Sequence, residues 1–208
     1  MVDARSADDV FATSNTTSRP GAVILVRHGE PDISRKVRLS AEEYRQWWAS
    51  YETKGLLAGQ TPPEDLIVLG GSVGTLISSI RPRALETARA VCGDRVFTQE
   101  ALFVEAPLPP PRWPSWIRLS PRLWGFITRV WWWFFNHHED QESRAQAEVR
   151  AGQAADRLID LAGRGEDVLV FAHGFFNGMV GRALTRRGWR CTEDQGFNYW
   201  CARRFERS

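Results

Sequence analysis

The chain has 208 residues, of which 43% are hydrophobic and 25% charged, the balance of a globular protein able to bury a full core as one domain. A net charge of +2, from 27 Lys and Arg against 25 Asp and Glu, argues against nucleic acid or any other polyanion held by bulk charge. Three cysteines, Cys92, Cys191 and Cys201, are too widely spaced for a disulfide framework or a zinc site and suit a reducing, cytoplasmic compartment. Residues 1–20 are polar, carry no apolar run of the secretory kind, and read as a flexible leader. From there 21–208 reads as a single domain. Val23 to Val26 is a continuous apolar run, expected as a strand buried on both faces, and it ends at Arg27-His28-Gly29-Glu30. Ser40, with Glu43 three residues on, has the form of a capping box and opens a helix carrying Tyr44, Trp47, Trp48 and Tyr51, with Gly55 as its stop.

Two apolar stretches follow, Leu66 to Leu69 and Thr75 to Ile80, each expected to form a strand or part of one. Pro82 suits a helix start, so 83–91 is expected as a helix, and 95–102 as a strand leading to Glu105. The prolines between 107 and 114 can continue neither a helix nor a central strand, which makes about 106–136 an excursion from the sheet. A long amphipathic helix is expected over 139–162, with Ala147, Ala151, Ala155, Leu158 and Ile159 as its buried stripe. Asp167 to Ala172 then forms a second buried strand ending in His173-Gly174, followed by a helix over 175–185 and a closing edge strand over 197–205. Strands alternating with helices predict a three-layer α/β/α sandwich around a mostly parallel central sheet.

In such a sheet ligands sit beyond the carboxyl ends of the strands, and here two separate strands each deliver a His-Gly pair to that edge. Glycine after histidine lets the chain turn sharply and presents a ring nitrogen and a backbone N–H together, a combination suited to phosphate. A lone histidine is more often a surface or hydrogen-bonded core residue, but two at equivalent positions weaken that explanation. The cations are almost all arginine, Lys36 and Lys54 being the only lysines. The planar arginine fork matches phosphate oxygens, although GC-rich coding produces the same bias.

Val26-Arg27-His28-Gly29-Glu30 resembles the R-H-G-E signature of the histidine phosphatase, or phosphoglycerate mutase-like, superfamily. Ser78-Ser79-Ile80-Arg81-Pro82-Arg83-Ala84-Leu85-Glu86-Thr87-Ala88 resembles its S-x-x-x-R-A-x-x-T-A element, and Ala172-His173-Gly174 its second histidine element. The resemblance spans about 23–174. It implies a phosphoglycerate mutase-like fold and a metal-independent phosphomonoester hydrolase that calls for no cofactor. His28 is then the nucleophile carrying a covalent phosphoryl group, and Arg27, Arg83 and His173 the catalytic cradle, with the Gly174 amide beside it. Glu105 takes the place of the proton donor. Its alternatives are a solvated loop acid at 105 and, as the acid itself, Glu30 or Asp32. Ser34 stands six residues after the nucleophile, where many members have Asn, and can still donate one hydrogen bond to phosphate. The Gly-Glu-Ser/Thr and Trp-Asn stretches of sugar-phosphate mutases are absent, which favours hydrolysis over a mutase. A phosphate-binding scaffold on the same fold would keep the arginines without needing Glu105.

Ten tryptophans are the most unusual feature, six of them between Trp113 and Trp133. The apolar run 123–135 is too short to span a bilayer and contains Arg129. One expectation is a packed cap that covers the sheet edge and shapes the pocket. The other is a peripheral membrane contact through 112–135, where Trp and Phe alternate with Arg112, Arg118, Arg122 and Arg129, which would suit a lipid or isoprenoid phosphate rather than a small soluble ester. Arg35, Lys36 and Arg38 read either as a site for the substrate's remaining anionic group or as a solvated basic turn.

Overall fold

The computed structural model describes residues 19–208, so the expected leader lies, except for its last two residues, outside the described residues. Six strands form one sheet in the order β3-β2-β4-β1-β6-β5. The strands are β1 (Val23–Arg27), β2 (Thr75–Ser78), β3 (Thr98–Gln99), β4 (Val168–Ala172), β5 (Trp189–Asp194) and β6 (Ala202–Arg207). The first four run parallel, and β6 is antiparallel to both β1 and β5. Successive side chains of β1 and β4 point to opposite faces and divide the core in two. Val23, Leu25, Val168 and Val170 pack with α5 (Arg144–Ala162) and α6 (Gly174–Thr185). Ile24, Val26, Leu169 and Phe171 pack with α2 (Glu64–Ser72) and α3 (Pro82–Cys92). The result is the three-layer α/β sandwich with a mostly parallel sheet expected from the alternation of elements.

Several elements differ from expectation. Leu66 to Leu69 lies in α2, not in a strand: Pro63 precedes it, Glu64 and Asp65 occupy its first turn, and Leu66 and Gly70, four apart, are the buried positions. So short an apolar run does not distinguish strand from helix by periodicity. Of 95–102 only Thr98–Gln99 pairs, and a single 3-10 turn over Ala101–Phe103 follows. The long helix starts at Arg144, where Ser143 and Gln146 form a capping box, because Glu139 and Asp140 adopt left-handed backbone angles. The single edge strand expected over 197–205 is instead the second half of a hairpin, β5 with β6, whose connection carries Phe197 to Trp200.

The excursion contains α4 (Pro121–Phe135), capped by the Ser120 hydroxyl at one end and a left-handed Asn136 at the other. Its buried face, Trp124, Gly125, Thr128 and Trp132, packs against α1 (Ala41–Thr53) and Phe175. Both buried indoles find carbonyls, Trp124 Nε1 donating to Leu39 at 2.7 Å and Trp132 Nε1 to Glu142 at 3.1 Å. Trp124 and Trp132 therefore serve as packing, whereas Trp116, Leu123, Phe126, Phe134 and Phe135 face outward. No helix among the described residues is long and apolar enough to cross a membrane.

Candidate active site

Three neighbouring parallel strands, β2, β4 and β1, end at the same level. Arg27 is in register with Ala172, and Ser78 with Phe171. The ladder continues one step further, His28 N–H donating to Ala172 and Ser79 N–H to Phe171. Ser79, His173 and His28 consequently stand in a row at the carboxyl edge, with the two imidazole centroids 5.1 Å apart. Both histidines are buried. Close approach demands the glycines that follow them: a Cβ on Gly29 would run into the Trp200 ring, and one on Gly174 would crowd Arg27 Cδ at 3.1 Å.

Arg83, also fully buried, links the row. Its Nε donates to His28 Nε2 and its Nη2 to His173 Nδ1, both at 3.3 Å, while Nη1 donates to the Tyr51 carbonyl and Nη2 to Glu52 at 2.8 Å. Thr87, one turn along α3, fixes the loop beside it by accepting from Gly29 N–H and donating to the Arg83 carbonyl. These contacts settle both tautomers. His28 Nδ1 sits 2.7 Å from the Gly29 carbonyl, which can only accept, so Nδ1 carries the proton and Nε2 the lone pair. Arginine can only donate, so His173 Nδ1 accepts and its Nε2–H donates to Ser79 Oγ at 3.0 Å.

Burial, reinforced by the Arg83 and Arg27 guanidiniums, holds His28 well below the usual imidazole value. Burial and Arg83 do the same for His173, with His28 adding to it. Both rings are therefore neutral near pH 7, and the His28 Nε2 lone pair is available as a nucleophile. That atom meets Arg83 Nε and the Tyr51 hydroxyl, the latter at 3.4 Å.

Arg27 passes over Gly174, places its guanidinium 4.4 Å from the Tyr199 ring centre and donates to the Phe197 carbonyl. Its Nε is buried without a hydrogen-bond partner among the described residues. Glu105 is anchored at the start of α6, accepting from Phe176 N–H at 2.8 Å and Phe175 N–H at 3.3 Å, and it lines the main cavity, of about 520 Å³, together with Arg27 and Gly174. The structure thus brings His28, His173, Arg27, Arg83, Glu105 and Gly174 to one edge. His28, His173 and Arg83 are buried and not themselves in the cavity wall; Tyr51, which lines it, is the residue that touches His28 Nε2. Ser34 is not brought to this edge: it is exposed, and its hydroxyl accepts from Lys36 N–H. Glu30 and Asp32 are exposed and outside that wall as well, whereas Arg35 is part of it.

Four participants escape the sequence reading. Tyr51 and Glu52 close the end of α1, Glu52 pairing with both Arg81 at 2.7 Å and Arg83 at 2.8 Å. Ser79 orients His173, and Asn177 ties α6 to β1 by donating to the Val26 carbonyl at 3.1 Å. Of these only Ser79 carries a signal in sequence, as the first residue of the arginine element. Among the described residues no three His, Cys, Asp or Glu side chains gather as metal ligands do.

The class of architecture is the phosphoglycerate mutase-like α/β fold. Comparable solved structures include a phosphoserine phosphatase mutant from Entamoeba histolytica in complex with phosphoserine, 18% identical, with 80% of each chain covered at a TM-score of 0.54. A phosphoglycerate mutase from Bacillus anthracis is 18% identical, with 83% of each chain covered at 0.54. The product of an open reading frame of Mycobacterium tuberculosis is 22% identical, covering 90% of this chain and 96% of its own at 0.53. At these identities the likeness is one of fold. No sequence-family model matches the chain, and no curated protein matches it in sequence.

Proposed function

We propose that the chain is a histidine phosphatase, a phosphomonoester hydrolase working through phosphohistidine on His28. The observation that carries this reading is the pair of neutral, buried histidines at the ends of adjacent strands, bridged by one buried arginine with a second arginine beside them. Phosphoryl transfer needs an in-line nucleophile and fixed positive charge around three oxygens, and this edge offers both. His28 Nε2 bonds to phosphorus as the ester P–O bond breaks, and the leaving oxygen takes a proton from Glu105. Water then adds to phosphorus, giving its proton to Glu105, and the N–P bond breaks to release phosphate and neutral His28. The Nδ1–H···O=C bond to Gly29 steadies the positive charge that the ring gains while it carries phosphate. Productive binding turns Arg83 Nε and the Tyr51 hydroxyl from Nε2 onto phosphate oxygens, and Arg27 Nε gains the acceptor it lacks.

The fold is also that of a phosphoglycerate mutase, but hydrolysis is favoured because the Gly-Glu-Ser/Thr and Trp-Asn stretches of sugar-phosphate mutases are absent. Rapid quenching of turnover with labelled p-nitrophenyl phosphate in EDTA tests the reading. Acid-labile, alkali-stable label on His28 is expected, together with a rate loss of at least about 10³-fold in His28→Ala. Ordinary turnover by that variant, or a strict need for added Mg²⁺ or Zn²⁺, would reject it.

A second reading concerns the partner of α4. Leu123, Phe126, Phe134 and Phe135 stand exposed with Arg122 on the same helix, the composition of a segment that rests on an anionic bilayer. Peripheral membrane contact is accordingly proposed for this outer face and the exposed Trp116 rather than for Trp124 and Trp132, which are buried.

A further inference from the structure

We infer that the substrate is a phosphomonoester bearing a second anionic group, on a body with a flat ring, of the nucleoside bisphosphate kind; this rests on the phosphatase reading above. The main cavity, at about 520 Å³, has the volume of a site for a drug-sized ligand and far exceeds what a phosphoryl group alone requires. Five arginines line it, Arg27, Arg35, Arg122, Arg129 and Arg182, against the one carboxylate of Glu105.

Several half-buried arginines elsewhere are matched by acids: Arg45 by Glu139, Arg150 by Glu142, Arg203 by Asp194 and Arg204 by Asp167. None of the cavity arginines meets a carboxylate among the described residues. Arg129 donates to the Gly125 carbonyl and lies 5.4 Å from the Phe175 ring centre, and Arg182 lies 4.8 Å from that of Trp133. A concentration of guanidiniums with aromatic rather than acidic neighbours is an anion site.

The five fall into two groups. Arg27 and Arg35, like Arg83, are cations whose charge is felt at His28. Arg122 and Arg129 come from α4, and Arg182 sits on α6 eight residues beyond Gly174, about 12 Å along the helix axis at 1.5 Å per residue. Gly174, beside His28, and Arg182 are thus at opposite ends of α6, and a second anion is the partner that the Arg182 end of the cavity would take.

Aromatic side chains line the same cavity. Tyr44, Trp47 and Tyr51 stack on one another along α1, and Phe175 and the half-exposed Phe197 line the cavity with them. A flat ring can lie against Phe197. An isoprenoid monophosphate, the lipid substrate the tryptophans suggest in sequence, would instead set hydrocarbon against Arg122, Arg129 and Arg182 and leave them without an anion.

The test compares kcat/KM of the full chain for adenosine 3′,5′-bisphosphate, AMP and farnesyl monophosphate, each divided by the value for p-nitrophenyl phosphate. The bisphosphate ratio is expected to exceed that of AMP by about tenfold or more, the scale of a charge-assisted contact, and to fall toward it in Arg122→Gln/Arg182→Gln. Both positions are exposed, so the replacements tax folding little, and the p-nitrophenyl value reports any that does occur. Equal ratios for AMP and the bisphosphate, or a preference for the farnesyl ester, would overturn the inference while leaving the phosphatase intact. Failure to turn over any ester, with no label on His28, would instead reject the parent reading.

Discussion

The sheet edge and the aromatic cap above it handle arginine in opposite ways. At the edge, every polar group of Arg83 is engaged by a histidine, a carbonyl or Glu52, so that it aligns two imidazoles that burial, reinforced by its charge, holds neutral. Along the cavity beneath the cap, Arg122 and Arg129 of α4 and Arg182 of α6 meet no acid among the described residues, and Arg129 and Arg182 lie beside aromatic rings. The first arrangement is preorganised for chemistry, the second for recognition. Substitutions at the edge should therefore change rate and stability together, and substitutions in the cap should change which molecules are bound.

The largest effect expected from this contrast lies at Glu105, where edge and cavity meet. Glu105→Gln should slow phosphorylation by alkyl phosphates by about 10²–10⁴-fold and by p-nitrophenyl phosphate much less, because p-nitrophenolate leaves without a proton. Phosphohistidine should also persist longer. Rapid-quench kinetics separates the two steps, and an equal loss on both esters would make Glu105 a positioning residue instead.

Arg83→Gln should follow, leaving Glu52 with only Arg81 and both histidines without their shared donor. A loss of about 3–5 kcal/mol is expected from urea unfolding, the cost of breaking a buried pair. Arg122→Gln in the cap should change stability by less than about 0.5 kcal/mol. Similar losses at the two positions would erase the contrast.

The histidines also tie stability to pH. Both are held below their unfolded value near 6.5, so between that value and their folded values the unfolded chain binds more protons than the folded one. Stability should thus be fullest above about pH 6.5 and fall as pH drops through that window, by up to about 1.4 kcal/mol per pH unit for each histidine. Urea midpoints across the range measure this, and His173→Asn should flatten the dependence. An unchanged slope would show that the ring is not held neutral.

The smallest effect is expected on the outer face of α4. Replacing Phe126, Phe134 and Phe135 together by Ser should abolish weak, salt-sensitive co-sedimentation with anionic liposomes and leave the cap folded, since all three are exposed. No binding by either protein would leave α4 as a packing element alone.

What the sequence by itself determined was the part governed by local pattern. Apolar runs too continuous for a surface strand mark β1 and β4, and each closes on a histidine and a glycine, so the carboxyl edge and its two imidazoles were legible before any coordinates. So was Arg83, through the resemblance of its segment to the arginine element of the histidine phosphatases. The α2 helix, the β5–β6 hairpin and the late start of α5 were not, because short apolar runs and left-handed turn residues fit more than one local conformation, and only packing chooses among them. The same holds for Tyr51, Glu52 and the cavity arginines. Glu52 lies 31 residues from Arg83 and Arg122 lies 60 before Arg182, and no periodicity connects such positions. Tertiary structure decided which charges would be neutralised within the protein and which would be left for a ligand, because that outcome depends on which side chains the folded sheet, helices and cap bring within a few ångströms of one another.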